Sequence, residues 1–428
     1  MVLNKLASID PSGIGIEMED DKPGWNDAMN GLPGLFGSGV SETIELKRVV
    51  TFLLEYYSSN EELELPVETV EFTKQLLDVL NNTYDDFDYW NQATTVKETY
   101  RANIRFGTKG IAMLDPKLVT RLLDLADKKI DVALTKALHL GDGIYPTFLV
   151  HEVLDYEKVI VNGSPKIGQY GLPIVEPKKF KVRALPYYLE APARALKVMK
   201  SDSKKKHMYT NIKMSNVYDH ELQFYKTSEF LDDETNEIGR GRSFTKGWQE
   251  RESNFLHMTY KYLLGLLKGG LYQEFFAELK TNLVCFMDPT IYGRSTLENS
   301  SFIASSVNPD PDVRGQGWVA RLSGSTAEML SIWAYMMFGK TPFIMKDNKL
   351  TLNLKPSLSQ EFFVDGEVSF TFLGTTTITY ISESKLDTFD PLCTITKYVV
   401  DGKECSIVQG EMAQAIRNKQ VKEIKIYL

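Results

Sequence analysis

The first residues able to do chemistry lie in the loop Pro23-Gly24-Trp25-Asn26-Asp27-Ala28-Met29-Asn30-Gly31. It places an indole two residues from a carboxylate, in a turn rich in glycine. Sugars stack their C–H faces on aromatic rings, and a carboxyl group beside such a ring can reach a glycosidic oxygen. Proton donation of this kind requires a carboxyl whose pKa is raised by partial burial. An isolated Trp-x-Asp is more commonly a turn aspartate beside a core tryptophan, so the spacing alone leaves Asp27 undecided.

Glu250 and His257 stand seven residues apart in Gly247-Trp248-Gln249-Glu250-Arg251-Glu252-Ser253-Asn254-Phe255-Leu256-His257. A continuous helix would put both on one face, but a loop around Glu250 is the simpler reading. A single histidine against an apolar helix is usually a hydrogen-bonded core residue. A third segment, Arg321-Leu322-Ser323-Gly324-Ser325-Thr326-Ala327-Glu328, has the Ser-x-x-Glu spacing of a capping box and predicts a helix from about Ser325. A Ser-Gly step ahead of a helix N-terminus offers a hydroxyl and backbone N–H groups suited to phosphate, although plain capping accounts for it. The polar loop Tyr292–Ser301, with Arg294 and Glu298, could line a sugar cleft. The chain has no Walker loop, dinucleotide-binding glycine fingerprint, His-Glu-x-x-His or Gly-x-Ser-x-Gly. The remaining histidines (His139, His151, His207 and His220) lack metal-ligand spacing.

The elements that must hold these residues are chiefly helical by pattern. Residues 10–40 carry seven glycines and three prolines and read as loop. After Ser41, Leu46, Val49, Val50, Leu53 and Tyr57 recur at spacings of three and four and predict an amphipathic helix. Similar stretches fall near 66–82, 117–128 and 255–280. In the last, Leu256, Tyr260, Leu263, Leu264 and Leu267 form one stripe. A further helix should run from near Ser325 to Phe338. Residues 160–210, with five prolines and Lys204-Lys205-Lys206, read as an elaborated loop with a solvated lysine run. Beyond Gly339 the chain turns β-branched and alternating, with Asp401-Gly402 as a hairpin turn. These patterns predict a mainly α fold. An (α/α) barrel of helical hairpins, incomplete and spanning 1–338, would be followed by a small antiparallel β domain at 339–428.

Bulk properties narrow the function class. The formal charge of −8 disfavours gripping nucleic-acid backbones or anionic membranes. No apolar run approaches the roughly 20 residues that span a bilayer, and Met1–Asp10 lacks a signal-peptide pattern. Three scattered cysteines (Cys285, Cys393 and Cys405) suit neither a disulfide framework nor a zinc site, and a reducing cytoplasm fits. The chemically richest loop begins only ten residues into the chain, which suggests a fragment or one half of a split polypeptide.

Taken together, these segments resemble the cellobiose and chitobiose phosphorylases. Trp25-Asn26-Asp27 with Met29-Asn30 is similar to their Trp-Asn-Asp-Gly-Met-Asn loop, whose Asp is the general acid and whose Trp and Asp line the donor-sugar site. The Glu250–His257 spacing resembles their Glu-Asn-Gly-Gly-x-x-x-His, in which the Glu contacts sugar and the His phosphate. Leu322-Ser323-Gly324 is similar to their phosphate-holding Leu-Thr-Gly step. The surrounding wording is nearest the β-1,3-glucan phosphorylase branch. Departures are Arg251, Glu252 and Ser253 where the family has Asn-Gly-Gly, and Ser323 for Thr. Arg251 and Glu252 would place charge near the donor site.

The resemblance implies inverting phosphorolysis of a β-glucoside, with Asp27 as acid. Trp25, Asn26 and Glu250 would touch sugar, with Arg294 and Glu298 lining the cleft. His257, Ser323 and Gly324 would hold phosphate. No metal or organic cofactor is implied, only phosphate as co-substrate. The expected partners are a β-gluco-oligosaccharide and either a preceding N-terminal portion, a second chain or a second copy. Two other readings stay open: an inverting hydrolase with Glu250 as base, and a non-catalytic carbohydrate-binding subunit that completes a split enzyme.

Overall fold

The computed structural model describes residues 1–19, 26–57, 62–82, 85–319 and 323–428. Its helices are, in chain order, α1 (Val2–Leu6), α2 (Val40–Tyr56), α3 (Val67–Asn81), α4 (Asp86–Ile104), α5 (Pro116–Leu140) and α6 (Glu190–Ala195), followed by α7 (Asp202–Met214), α8 (Leu256–Lys268), α9 (Tyr272–Asn282), α10 (Pro289–Tyr292), α11 (Ser323–Phe338) and α12 (Glu411–Arg417).

The predicted stripes explain why several of these form and how they pack. On α8, Leu256, Tyr260, Leu263 and Leu267 are fully buried and Leu264 nearly so, each burial contributing roughly 1.5–3 kcal/mol of transfer free energy. The helix then stops at Gly269-Gly270, where Gly270 takes a positive φ. Helix α5 begins with Asp115 accepting from Lys117 N and Pro116 in its first turn. It buries Leu122, Leu123, Ala126, Ile130, Ala133, Leu134 and Ala137 at helical spacing. Helix α8 packs against α6 and α11, and α2 packs against α5 and α6.

Strands, however, run through the whole chain and form seven sheets among the described residues. This overturns the expected (α/α) barrel followed by one β domain: the fold is mixed α/β. A four-stranded antiparallel sheet orders Ile16–Glu17, Ser38–Gly39, Phe148–Lys158 and Val175–Ala184. Of the loop expected at 160–210, Val175–Ala184 is the second long strand of this sheet, and α6 and most of α7 fall in the same stretch. The outer halves of the two long strands carry mixed charged and apolar residues with no buried face, so no clean period-two pattern marks them. A three-stranded sheet joins Asn254–Phe255, Phe302–Ile303 and Gly317–Trp318. Strands of two residues have no periodicity and exist only through their partners.

The lysine run also differs from expectation. It lies in α7, and the middle residue, Lys205, is buried, donating to Gly269 O at 2.8 Å and to Asp202 Oδ1 at 2.9 Å. Near the C-terminus five strands form one sheet in the order Glu367–Phe372, Thr376–Ile381, Glu423–Tyr427, Lys397–Val400, Lys403–Cys405. Thr376–Ile381 and Glu423–Tyr427 run parallel, so this sheet is not purely antiparallel. Asp401-Gly402 does turn the hairpin between Val400 and Lys403. Both turn residues have positive φ, as a type I′ turn requires. One continuous apolar core includes Leu6, the α8 stripe and Ile378, Ile424 and Leu428 of this region. No helix among the described residues is long and apolar enough to cross a membrane.

Candidate functional site

The loop that carries Asp27 closes on itself before it presents anything. Ile16–Glu17 pairs with Ser38–Gly39, and Met18 N donates to Gly37 O. Beneath that join lies Asp10, fully buried. It accepts from Ser12 N, Ile14 N and Gly15 N and from the hydroxyls of Ser12 and Ser38. His151 faces it, with Nε2 at 3.6 Å from Asp10 Oδ2 and Nδ1–H donating to Phe36 O at 2.7 Å. Asp10 and Ser38 thus bracket the loop at both ends, and His151 anchors it to the long strand.

Within the loop, Asn26 is buried and its Oδ1 caps a 3₁₀ turn, Asp27–Met29, accepting from Ala28 N at 3.1 Å. Asn26 therefore shapes the turn. Met29 and Leu32 sink into a small core with Phe148, Val150, Leu185, Tyr188, Leu231 and Ile238. Gly31 passes so close to the facing turn that a Cβ there would sit 1.9 Å from Glu237 O, so no other residue fits.

This packing leaves Asp27 at the surface. Its side chain is 67% exposed, with Arg240 Nη2 at 3.9 Å from Oδ2. The partial burial expected around a proton donor is not provided by the described residues. Trp25 lies outside the described residues.

Glu250 joins this loop from a position 222 residues away. Its Oε2 accepts from Ala28 N at 2.9 Å. Burial pushes its carboxyl above the usual glutamate value, and Asp27 adds to the rise, against the Ala28 N–H and Arg240. Neighbouring Arg251 and Glu252, expected to place charge near a sugar, are buried instead. Arg251 donates to Arg242 O and Phe244 O and pairs with Asp232, bracing the segment that presents Arg240.

Two residues on from Glu252, Asn254–Phe255 enters the three-stranded sheet, and α8 then begins, its Leu256 N bonded to Ser301 O. His257 sits in the first turn of α8, opposite the first turn of α11. A Cβ at Gly324 would lie 2.6 Å from His257 Nδ1, so the absence of a side chain permits this approach. Nε2 faces Glu328 Oε1 at 3.7 Å. Helix α11 starts at Ser323, two residues before the expected capping box. Ser325 is thus inside the helix, with its hydroxyl donating to Ser300 O. Arg321 and Leu322 lie outside the described residues, as does the Ser323 side chain.

Arg294 and Glu298 pair with each other at 3.4 Å, a tie that does not involve Asp27, Glu250 or His257. A cavity of about 500 Å³ flanks the Asp27 loop, lined by Gly34, Phe36, His151, Lys181, Arg183 and Glu237 among others. Among the described residues no group of three or more His, Cys, Asp or Glu side chains is arranged to hold a metal ion.

The structure therefore brings Asp27 and Glu250 together, and separately His257 and Gly324. Sequence reasoning missed Asp10, His151, Arg240 and Glu328. For Asp10 a signal existed, since Asp-Pro-Ser-Gly is an Asx-turn sequence. The others meet their partners only through tertiary contacts. No protein-family model matches the chain, and no curated protein is significantly similar to it.

Proposed function

We propose that the chain catalyses inverting phosphorolysis of a β-glucoside, giving α-glucose 1-phosphate and a shortened acceptor. By resemblance the substrate is a β-1,3-gluco-oligosaccharide. The observation that supports this most is the Ala28 N to Glu250 Oε2 hydrogen bond, which sets the carboxylate that the resemblance assigns to sugar beside the loop of the proposed acid. The approach of Gly324 to His257, at the first turns of α8 and α11, brings together two groups that the resemblance assigns to phosphate.

In this reaction Asp27 gives its proton to the leaving oxygen as the anomeric C–O bond breaks. Phosphate oxygen forms the new bond from the opposite face. The proton of hydrogen phosphate returns to Asp27 through solvent, so none is consumed. An inverting hydrolase needs a second carboxylate to activate water, whereas phosphate arrives anionic and needs N–H donors instead. His257 and the Gly324 amide suit that need, and Ser323 joins them by resemblance alone. Asp27's exposure leaves it open to a leaving group, and the bound sugar would supply the missing burial. Glu250, already engaged by Ala28 N and pushed up by burial, is poorly placed as a base for water.

The test is incubation with inorganic phosphate and a panel of β-gluco-oligosaccharides, assaying glucose 1-phosphate. Phosphate-dependent product that disappears in Asp27→Asn is expected. Free glucose formed without phosphate would replace the reading with hydrolysis, and activity retained in Asp27→Asn would place the acid elsewhere.

A further inference from the structure

The strands Phe148–Lys158 and Val175–Ala184 run out from the body of the molecule as a two-stranded antiparallel ribbon. Its root is covered: Phe148, Leu149, Val150 and His151 are buried, and Ser38–Gly39 pairs with the first strand at Phe148 and Leu149. From Glu152 to Val182 no residue is buried. A hairpin with no covered face is at best marginally stable in water. Polar residues would suit such a place, yet nine of the chain's exposed large apolar residues fall between Leu154 and Val175, among them Leu154 at 51%, Leu172 at 69% and Tyr170 at 84%. With about 150–250 Å² for a whole residue of this size, the exposed parts come to roughly 900 Å² in one arm. The largest apolar patch on a monomer is about 300–600 Å², and a stable interface takes about 800 Å² from each partner.

The charges of the ribbon select the occupant. Glu152, Asp155 and Glu157 make the outer part of the first strand acidic, and Lys178, Lys179 and Lys181 make the second basic, with Lys158 and Glu176 of opposite sign at the outer ends. Glu152 stands opposite Lys181 and Asp155 opposite Lys179, so each acid shares a face with a base, and Leu154 is the extra residue of the bulge beside Asp155. Lys178 meets Glu157 at 3.2 Å and Glu176 at 3.3 Å, but these groups are exposed and the ties are weak. A partner of a single sign would be drawn to one strand and repelled by the other. A second copy, turned about a two-fold axis along the ribbon, lays each acidic strand over the basic strand of its mate. Val175–Ala184 is the edge of its sheet, and Pro177 and the lysines blunt that edge against strand pairing. The faces are what remains to be covered.

We infer that this ribbon is a dimerisation arm, through which two copies of the chain associate by packing the faces of their arms about a two-fold axis. Apolar side chains supply the affinity, and the opposed strand charges set the orientation. The root of the arm carries His151, which anchors the Asp27 loop, so the dimer would form beside the candidate site. The inference stands apart from the phosphorolysis reading, and neither depends on the other.

The experiment is analytical ultracentrifugation of the full chain over a range of concentrations. Wild type should pass reversibly from monomer to dimer, and backbone amides at 152–182 should exchange more slowly in the dimer. Leu154→Ser/Leu172→Ser removes four apolar side chains per dimer and should raise the dissociation constant about a hundredfold or more. Both positions are exposed, so the circular dichroism spectrum should not change. Charge reversal tests the orientation. Glu152→Lys/Asp155→Lys and Lys179→Glu/Lys181→Glu should each self-associate more weakly than wild type, and an equimolar mixture of the two should form a heterodimer. Repulsion within one arm could weaken either variant alone, but mixing would not relieve it. A wild type that stays monomeric at about 100 µM, beyond the micromolar limit for an interface of this size, overturns the inference. So does a dimer that Leu154→Ser/Leu172→Ser leaves intact, a mixture that forms no heterodimer, or a monomer whose arm is protected only by phosphatidylcholine vesicles.

Discussion

Replacing Asp10 by alanine tests whether the Asp27 loop is pinned from beneath. The substitution strands three backbone N–H groups (Ser12 at 3.0 Å, Ile14 at 3.0 Å and Gly15 at 2.7 Å) and the Ser12 and Ser38 hydroxyls, both at 2.6 Å. It also removes the carboxylate that faces His151, in a place where both side chains are 0% exposed. Removing one member of a buried pair costs about 3–5 kcal/mol. Two or more buried donors left unsatisfied, at about 1–3 kcal/mol each, lead to the same range.

The pair also predicts a pH window. Burial would raise the Asp10 carboxyl, but the facing His151 and the Ser12 and Ser38 hydroxyls hold it below the ordinary 3.8. A depressed acid contributes fully above its ordinary value, and the contribution is lost as pH falls through the lowered one. His151 is raised above its ordinary 6.5, because Asp10 and the Phe36 carbonyl outweigh burial. A raised base contributes fully below its ordinary value, and the contribution is lost as pH rises through the higher one. The pair therefore stabilises most between about pH 4 and 6.5. Urea unfolding between about pH 3 and 9 gives the stability at each pH. Asp10→Ala should lose about 3–5 kcal/mol inside the window and less outside it. A loss below about 1 kcal/mol, the size of an ordinary substitution, or the same loss at every pH, would refute the reasoning.

Two other substitutions have clear outcomes. Gly324→Ala would put a methyl group 2.6 Å from His257 Nδ1, 2.9 Å from Cε1 and 3.0 Å from Cγ, so the ring or the start of α11 must retreat. Thermal melts should show about 1–3 kcal/mol of destabilisation, and KM for phosphate should rise by roughly tenfold or more; a wild-type KM would mean that this approach does not serve phosphate. Glu278, fully buried, accepts from the Tyr209 hydroxyl at 2.5 Å and pairs with Lys213. Glu278→Ala should cost about 3–5 kcal/mol in denaturant titration, and Glu278→Gln less, because the amide keeps an acceptor for Tyr209.

How much was legible in the sequence follows from the range of each interaction. Helices α2, α3, α5 and α8 could be read because a helix carries its own hydrogen bonds, and its buried face repeats within a few residues. The Asp401-Gly402 turn was legible for the same local reason, since its backbone conformation depends on two residues. The chain also displayed Asp27, Glu250, His257 and Gly324 as residues worth weighing.

Tertiary structure decided the rest. Strands such as Asn254–Phe255 or Ser38–Gly39 are too short to carry a pattern and acquire their identity from partners far along the chain. The mixed α/β architecture was therefore not visible where helical stripes dominated the reading. Asn26 was weighed as a sugar contact, and only the fold shows that it is buried and caps the turn, sharing Ala28 N with Glu250. Arg251 read as a charge facing a ligand and became a brace, because three oxygens from 232–244 surround it. Glu328 read as half of a capping box and became the neighbour of His257, because α11 starts two residues early and packs its first turns on α8. Sequence named the chemical groups through local spacing; which of them meet was settled by tertiary contacts such as that of Ala28 with Glu250, 222 residues apart, where no local period can register.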